Sequence, residues 1–340
     1  MSKVLVTGGL GYIGSHTVVE LIAQNHEVII VDNLSNSELR ILSGISEITH
    51  TTPVFEQIDV CNYTALRTCF ETHGPIDAVI HFAAYKAVGE SVSDSLAYYK
   101  NNVSGLLVLL ECMREFSVPN LVFSSSCTVY GQPDELPVTE LAPIQKAMSP
   151  YGNTKQICEE IISDAIHSYH DISAVLLRYF NPIGAHPSAA IGELPKGIPN
   201  NLVPFITQTA AGIRNQLQVF GNDYNTPDGS AIRDYIYVVD LANAHVKALD
   251  RLFSNTQESV CEVFNLGTGT GISVLEMVHA FEHATGVSVP YTIVPRREGD
   301  IEQVWADTAL ANTELGWYAQ TPLKDILQSA WNWEKKIRNI

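Results

Sequence analysis

The 340-residue sequence has little that would tie it to a membrane, a metal or a polyanion. No apolar run approaches the ~18–20 residues that would span a bilayer. The first apolar stretch, Val4-Leu5-Val6, stops at Thr7-Gly8-Gly9, too soon for a signal-peptide core and without a small-residue cleavage site. Six cysteines (Cys61, Cys69, Cys112, Cys127, Cys158, Cys261) form no Cys-x-x-Cys pair, so they read as reduced thiols, most of them in apolar surroundings. The eleven histidines suggest no ligand set, and no metal is expected. Basic residues are scarce: 20 Lys and Arg stand against 37 Asp and Glu, a formal charge of −17. A surface so acidic repels nucleic acid and anionic lipid. The expectation is a cytoplasmic protein with neither partner, in which any anionic ligand needs local Arg or backbone N–H groups.

What is present is the texture of a large interior, with 46% hydrophobic and 17% charged residues. The first 180 residues alternate short β-branched runs with longer helical patterns. Lys3–Thr7, Val28–Asp32, Ala78–Phe82, Leu121–Ser125 and Ser173–Tyr179 read as strands, apolar on both faces as buried parallel strands are. Ile13–Gln24, Tyr63–His73, Asp94–Glu115 and Pro150–Tyr169 read as helices between them. The alternation predicts an α/β fold, a Rossmann-type doubly wound parallel sheet. After Asn181-Pro182 the chain turns rich in Gly, Pro and Asn, and a smaller, loop-rich α/β lobe is expected over 181–340. It carries helices near Leu202–Arg214, Asp240–Phe253 and Ser273–Thr285 and one from Pro322, with strands at Leu217–Phe220, Glu262–Leu266 and Val289–Val294. Residues 1–180 form the first lobe, with contributions from 236–266. No repeat is evident.

Two constellations carry chemistry. Strand one ends in Thr7-Gly8-Gly9-Leu10-Gly11-Tyr12-Ile13-Gly14 and a helical pattern follows at once. Glycines there let backbone approach a pyrophosphate, and the helix start supplies free N–H groups and the positive end of a dipole. Glycine runs also make plain turns, but Asp32 lies eighteen residues beyond Gly14, at the end of the second strand. A carboxylate there accepts from ribose hydroxyls and repels a 2′-phosphate, which points to NAD rather than NADP. The second constellation is Tyr151 and Lys155, the only tyrosine with a lysine four residues on. That spacing puts both on one helix face. A nearby ammonium lowers a phenol's pKa, and the phenolate can take the proton of a hydroxyl whose carbon loses hydride. The pair opens the helix after strand Leu121–Ser125, whose end carries Ser124, Ser125, Ser126 and Thr128, and open α/β sheets bind ligands at such strand ends.

These segments resemble the extended short-chain dehydrogenase/reductase family. The likeness is sharpened by His81–Ser91, Asn101-Asn102-Val103, Arg178–Gly184, Ile198–Pro204, Phe220–Tyr224, Arg233-Asp234-Tyr235 and Pro295–Asp300, which are similar to its nucleotide-sugar epimerases in both lobes. The resemblance implies reversible 4-epimerisation of UDP-glucose and UDP-galactose through a transient 4-keto sugar, with NAD retained between turnovers. It implies Tyr151 as the base, relayed through Ser126, with Lys155 holding the nicotinamide ribose and depressing the Tyr151 pKa. It places Gly8, Gly11, Tyr12, Ile13, Gly14, Asp32, Asn33, Ser37, Asp59 and Val60 against NAD, together with Phe82, Lys86, Asn101, Ser126, Tyr151, Lys155 and Phe180. Asn181, Asn201, Leu202, Phe220, Arg233, Tyr235, Arg297 and Asp300 would hold the UDP-sugar, the two arginines meeting its diphosphate.

Some features separate this chain from others of that family. Sugar dehydratases carry acidic residues after the strand's serine or threonine, whereas Ser126-Cys127-Thr128 has none, and loss of water needs a proton donor. Val304 stands where members restricted to plain hexoses resemble one another in carrying tyrosine, which implies room for an N-acetyl group. Phe82-Ala83-Ala84-Tyr85-Lys86 departs from the commoner Phe-Ala-Gly-Leu-Lys but keeps Lys86. The resemblance further suggests a homodimer through helices 94–115 and 150–169, although burial inside the monomer explains one apolar stripe on each. Another UDP-sugar epimerase (N-acetylhexosamine or uronic acid), a net NAD-dependent oxidoreductase and a non-catalytic NAD sensor are the rival readings. Ser126, Tyr151 and Lys155 together weigh against the sensor.

Overall fold

The structure, a computed structural model, describes residues 1–257, 259–297 and 300–340. Its first half begins with strand β1 (Lys3–Thr7), helix α1 (Tyr12–Ala23), β2 (Glu27–Val31), α2 (Arg40–Thr49), β3 (Val54–Glu56), α3 (Tyr63–His73) and β4 (Ala78–His81). Two short helices follow, α4 (Val88–Ser93) and α5 (Ser95–Tyr98), then a π-helical turn over Tyr99–Val103 leading into α6 (Ser104–Glu115). Next come β5 (Asn120–Ser126), a 3₁₀ turn over Cys127–Tyr130, α7 (Pro150–Tyr169) and β6 (Ser173–Tyr179). The second half adds β7 (Asn181–Ile183), α8 (Leu202–Ala210), β8 (Leu217–Phe220), β9 (Ile232–Tyr237), α9 (Val238–Ser254) and β10 (Cys261–Leu266). It ends with β11 (Gly271–Ser273), α10 (Val274–Thr285), β12 (Tyr291–Val294), β13 (Gln303–Val304), α11 (Ala309–Glu314) and α12 (Leu323–Arg338).

Seven parallel strands stand in the order β10-β6-β5-β4-β1-β2-β3. Alternation along each strand sends its apolar side chains to two cores. Val4, Val6, Ile30, Ile80, Val122 and Val175 meet α1, α2 and α9 on one face. Leu5, Ile29, Val79, Leu121, Phe123 and Leu176 meet α3, α6 and α7 on the other. Burial on both faces is why these strands lack a polar face in the sequence. Strand order reverses between β1 and β4, and in open α/β sheets the crevice at the strands' carboxyl ends beside such a reversal is where ligands bind.

The remaining strands are short. β9 pairs β7, β11 and β13, while β8 pairs β12, and both small sheets are backed by α8, α10 and α12. β10 leaves this half to join β6 in the large sheet, and α9 packs on α1, so the chain crosses back after residue 237.

Most expected elements appear within a residue or two of their bounds. The helix expected over Asp94–Glu115 is interrupted. Asp94 leaves helical geometry and caps α5 through its carboxylate, and the π turn then re-registers the chain before α6. The helix near Leu202–Arg214 stops at Ala210 because Gly212 takes φ +73° and the Gly212 and Ile213 N–H groups turn back onto Thr209 and Gln208. The segment near Val289 becomes a strand only at Tyr291. Helices α2, α4 and α11 and strands β3, β7, β9, β11 and β13 are additions, mostly too short to show a period in sequence.

Candidate active site

Consecutive strand ends build the floor of the cleft. Gly8 N–H donates to Val31, Phe82 N–H to Thr7 and Asp32 N–H to Glu56, so the tips of β1, β2, β3 and β4 lie level. The glycine turn folds tightly on itself. Gly11 N–H donates to Gly8 O at 3.0 Å, and a Cβ on Gly14 would come within 2.3 Å of that same oxygen. Gly8 sits at φ +70° with the Ala83 backbone 2.8 Å from where its Cβ would be. Only glycine serves at either position. Helix α1 starts at Gly11 with no side-chain cap, so its first N–H groups face the cleft. The Asp32 carboxylate accepts from Leu10 N–H at 3.1 Å, from Leu34 N–H at 2.9 Å and from Ser37 Oγ at 2.7 Å. An uncapped helix start beside a buried carboxylate at the second strand's end fits a dinucleotide whose ribose carries free hydroxyls.

The remaining cofactor candidates lie along the same edge. Asn33 and Ser37 sit in the turn after β2, Asp59 and Val60 precede α3, Phe82 and Lys86 follow β4, and Phe180 follows β6. Asn101 lies in the π turn, where its amide donates to Asn102 Oδ1. Buried Asn102, not singled out individually from sequence, is the stronger structural piece. It bonds both backbone groups of Tyr85 and the Thr154 hydroxyl, tying the loop after β4 to α7.

Strand β5 and helix α7 bring Ser126, Tyr151 and Lys155 together. Ser149 caps α7 by accepting from Gly152 N–H, and Pro150 sits in its first turn. The Lys155 ammonium is buried, donates to Ser124 O at 2.5 Å and lies 4.8 Å from the centre of the Phe123 ring. Burial pushes its pKa down to about 8. Burial also pushes the Tyr151 phenol up to about 12, opposed by a hydrogen bond with the Ser126 hydroxyl. This differs from the sequence expectation that Lys155 depresses the phenol. The lysine's donor is engaged by a β5 carbonyl, and in the chain alone desolvation outweighs every nearby charge. The Tyr179 and Ser124 hydroxyls are hydrogen-bonded beneath this group.

Opposite stands the second half's polar cluster. Asp300 Oδ1 accepts from Arg233 at 3.2 Å and from Arg297 at 3.0 Å, and the Arg297 guanidinium lies over the Phe220 ring. Glu298 and Gly299, which complete the Pro295–Asp300 motif, lie outside the described residues. Asp234, buried between Arg233 and Tyr235, accepts from the N–H groups of Thr268, Gly269 and Ala306 and so anchors β9. Asn181 pairs in register with Tyr235, and Val304 with Arg233. Val304 packs against Val129, Tyr130, Val138, Phe180 and Ala306. It therefore stands between the turn that follows Ser126 and the residue that follows β6.

Asn201 occupies the N-cap position of α8 yet makes no cap. Its amide donates at 2.6 Å to Glu193, a residue the sequence reading passed over. A lone Glu in a Gly- and Pro-rich stretch carries no spacing signal. His279 and His283 stand one turn apart on α10, but among the described residues no cluster of three His, Cys, Asp or Glu side chains could hold a metal.

Comparison with known proteins agrees with this geometry. The GDP-mannose 4,6 dehydratase family matches residues 5–330. UDP-glucose 4-epimerase of Yersinia enterocolitica is 51% identical, across 99% of this chain and 98% of that protein. The solved UDP-glucose 4-epimerase of Stenotrophomonas maltophila, bound to NAD and formylated UDP-arabinopyranose, is 50% identical. It superposes with a TM-score of 0.96 over 100% of this chain and 99% of its own. The Bifidobacterium longum UDP-glucose 4-epimerase, in complex with NAD⁺ and UDP, is 46% identical with a TM-score of 0.95, covering 99% of both chains.

Proposed function

The chain belongs to the GDP-mannose 4,6 dehydratase family of extended short-chain dehydrogenases/reductases, and from that premise we propose that it interconverts UDP-glucose and UDP-galactose at C4. The observation that carries this is the convergence of Ser126, Tyr151 and Lys155 at the edge of the dinucleotide cleft, opposite the Arg233–Asp300–Arg297 cluster. NAD bound in the cleft supplies the acceptor and donor of hydride at C4. Beside the positive ring of bound NAD⁺ the Tyr151 phenol falls from the raised pKa it has in the chain alone. As phenolate, Tyr151 takes the 4-hydroxyl proton, with Ser126 between phenol and sugar, and returns it after the 4-keto sugar has turned over. Buried Lys155 holds a proton beside the phenol, and Arg233 and Arg297 take the diphosphate. Asp300, which now balances both guanidinium groups, lets them approach an anion without mutual repulsion. The absence of an acid at Cys127 favours epimerisation over dehydration.

Residues 1–180, with 236–266, form the cofactor lobe in this reading, and 181–340 mainly the sugar-nucleotide lobe. Val304 in the sugar wall favours acceptance of UDP-N-acetylhexosamines as well, since a Tyr there would fill that space. A Val304→Tyr chain should lose N-acetyl turnover and keep hexose turnover; equal loss of both removes the idea. Among the described residues no helix is long and apolar enough to cross a membrane, and we place the protein in the cytoplasm. Val92 of α4, Leu96 of α5 and Leu107 of α6 are 68%, 79% and 45% exposed. Exposed apolar side chains of that kind support homodimerisation through helices 94–115 and 150–169, and light scattering showing monomer alone would reject it.

The deciding experiment mixes purified protein with UDP-galactose, without added NAD, and separates the products. UDP-glucose formed by substoichiometric enzyme establishes epimerisation with retained cofactor. Absence of UDP-glucose from cofactor-loaded protein rejects this substrate.

A further inference from the structure

Glu193 places one carboxylate oxygen between the two binding halves. Its Oε1 accepts from Asn201 Nδ2 at 2.6 Å and from Lys86 Nζ at 3.2 Å. Lys86 belongs to the cofactor side, following β4 and lying over the Tyr12 ring at the start of α1. Asn201 belongs to the sugar-nucleotide side, at the head of α8. A carboxylate is an unfavourable group to seat, 11% exposed, where two diphosphates are to bind. Asn201 also forgoes the cap that an asparagine at a helix start normally makes.

The loop does not need this side chain to hold its place. Trp333 Nε1 donates to the Glu193 backbone carbonyl at 2.8 Å. Gly192 lies flush on the Trp333 indole, where a Cβ would come within 2.6 Å, and bridges back to Ala185. Three residues on, Lys196 binds the carbonyls of Leu34 and Ser35, in the turn that follows Asp32. Backbone and neighbours fix the segment, which leaves the Glu193 carboxylate free to serve the residues on either side.

We infer that Glu193 is a positioning residue that sets Lys86 against the cofactor and Asn201 against the sugar nucleotide, so one side chain governs NAD retention and UDP-sugar affinity. The inference rests on the proposed function. Its chemistry separates two substitutions. Glu193→Gln keeps an oxygen for the Asn201 amide but removes the charge that holds Lys86. Glu193→Ala removes both.

The test uses the holoenzyme. NAD remaining per chain is followed over time after gel filtration, UDP affinity is measured by calorimetry, and KM and kcat are determined for UDP-galactose. Glu193→Gln should lose NAD roughly tenfold faster than wild type, with UDP affinity within about twofold. Glu193→Ala should lose NAD as fast and also bind UDP roughly tenfold more weakly, with KM rising more than kcat falls. Glu193→Asp, which keeps the charge, should recover part of the NAD retention. Two variants that hold NAD and bind UDP like wild type overturn the inference. So do variants whose melting temperature and kcat fall together without this split. Wild-type chain that neither retains NAD nor converts UDP-galactose overturns the functional reading itself, and is told apart by needing no variant.

Discussion

Two ion-pair groups, one under the catalytic strand and one across the sugar-nucleotide site, show how differently the two halves are held. Arg178 and Glu159 are buried at 8% and 11% side-chain exposure and meet through two parallel hydrogen bonds. Tyr130 and Ser125 complete the set, so β5, β6 and α7 share one network directly below Ser126, Tyr151 and Lys155. Arg233 and Arg297 share a single Asp300 carboxylate oxygen; Arg233 and Asp300 are 16% and 15% exposed, and it is Arg297, at 58%, that opens the group to a ligand. The buried group fixes a geometry. The open one can exchange its carboxylate for a ligand's phosphates at small cost. Rigid support under the reacting hydroxyls and exchangeable charge at the diphosphate are what a positioned proton transfer and a departing product respectively require.

The contrast can be broken first at the chemistry. Tyr151→Phe should lower kcat by about 10²–10⁴ while UDP affinity holds, because the lost group moves a proton and binds no phosphate. Equal losses in kcat and affinity would place the phenol in binding instead. Next, Glu159→Ala strands a buried guanidinium. Urea denaturation should show a loss of about 3–5 kcal/mol. A loss under ~1 kcal/mol would mean the network below the site is not what holds it.

Lys155 gives a smaller, pH-dependent effect. Its amine falls from the ordinary ~10.4 to about 8 through burial. Below that value the folded chain keeps a buried ammonium and carries the full penalty. Between about 8 and ~10.4 the unfolded chain holds a proton that the folded chain has released, so stability rises with pH. Lys155→Met should remove that rise, and melting curves at pH 7 and pH 9.5 for both chains will show whether it does. The smallest change in stability is expected at Asp300. Asp300→Asn, which keeps an amide oxygen for Arg233, should cost less stability than Glu159→Ala yet shift KM for UDP-galactose several-fold with kcat little altered. A large fall in melting temperature there would erase the distinction between the two groups.

The difference in character also decided what could be read in advance. The first half announced itself because its strands are buried on both faces and its glycine turn admits no side chain at Gly8 or Gly14. Tyr151 and Lys155 were legible from their spacing, since α7 runs unbroken from Pro150 to Tyr169. The second half was legible mainly through resemblance. Strands of two to six residues, such as β13, β11 and β9, are too short to carry a period and take their form from their partners. The interruption before α6 was hidden because a π turn adds its extra residue without changing which residue types suit a helix.

The sequence by itself determined the doubly wound sheet, the dinucleotide turn and the Tyr–Lys pair, because each rests on local rules of period, φ and helical spacing. Tertiary structure alone decided the direction in which each member of that pair shifts, since burial depends on everything packed around it and here raises the phenol while lowering the amine. It also decided that Glu193 meets both Lys86 and Asn201, residues 107 and 8 positions away along the chain. No local pattern encodes such a meeting. It exists only once two separately folded segments have been brought to the same oxygen.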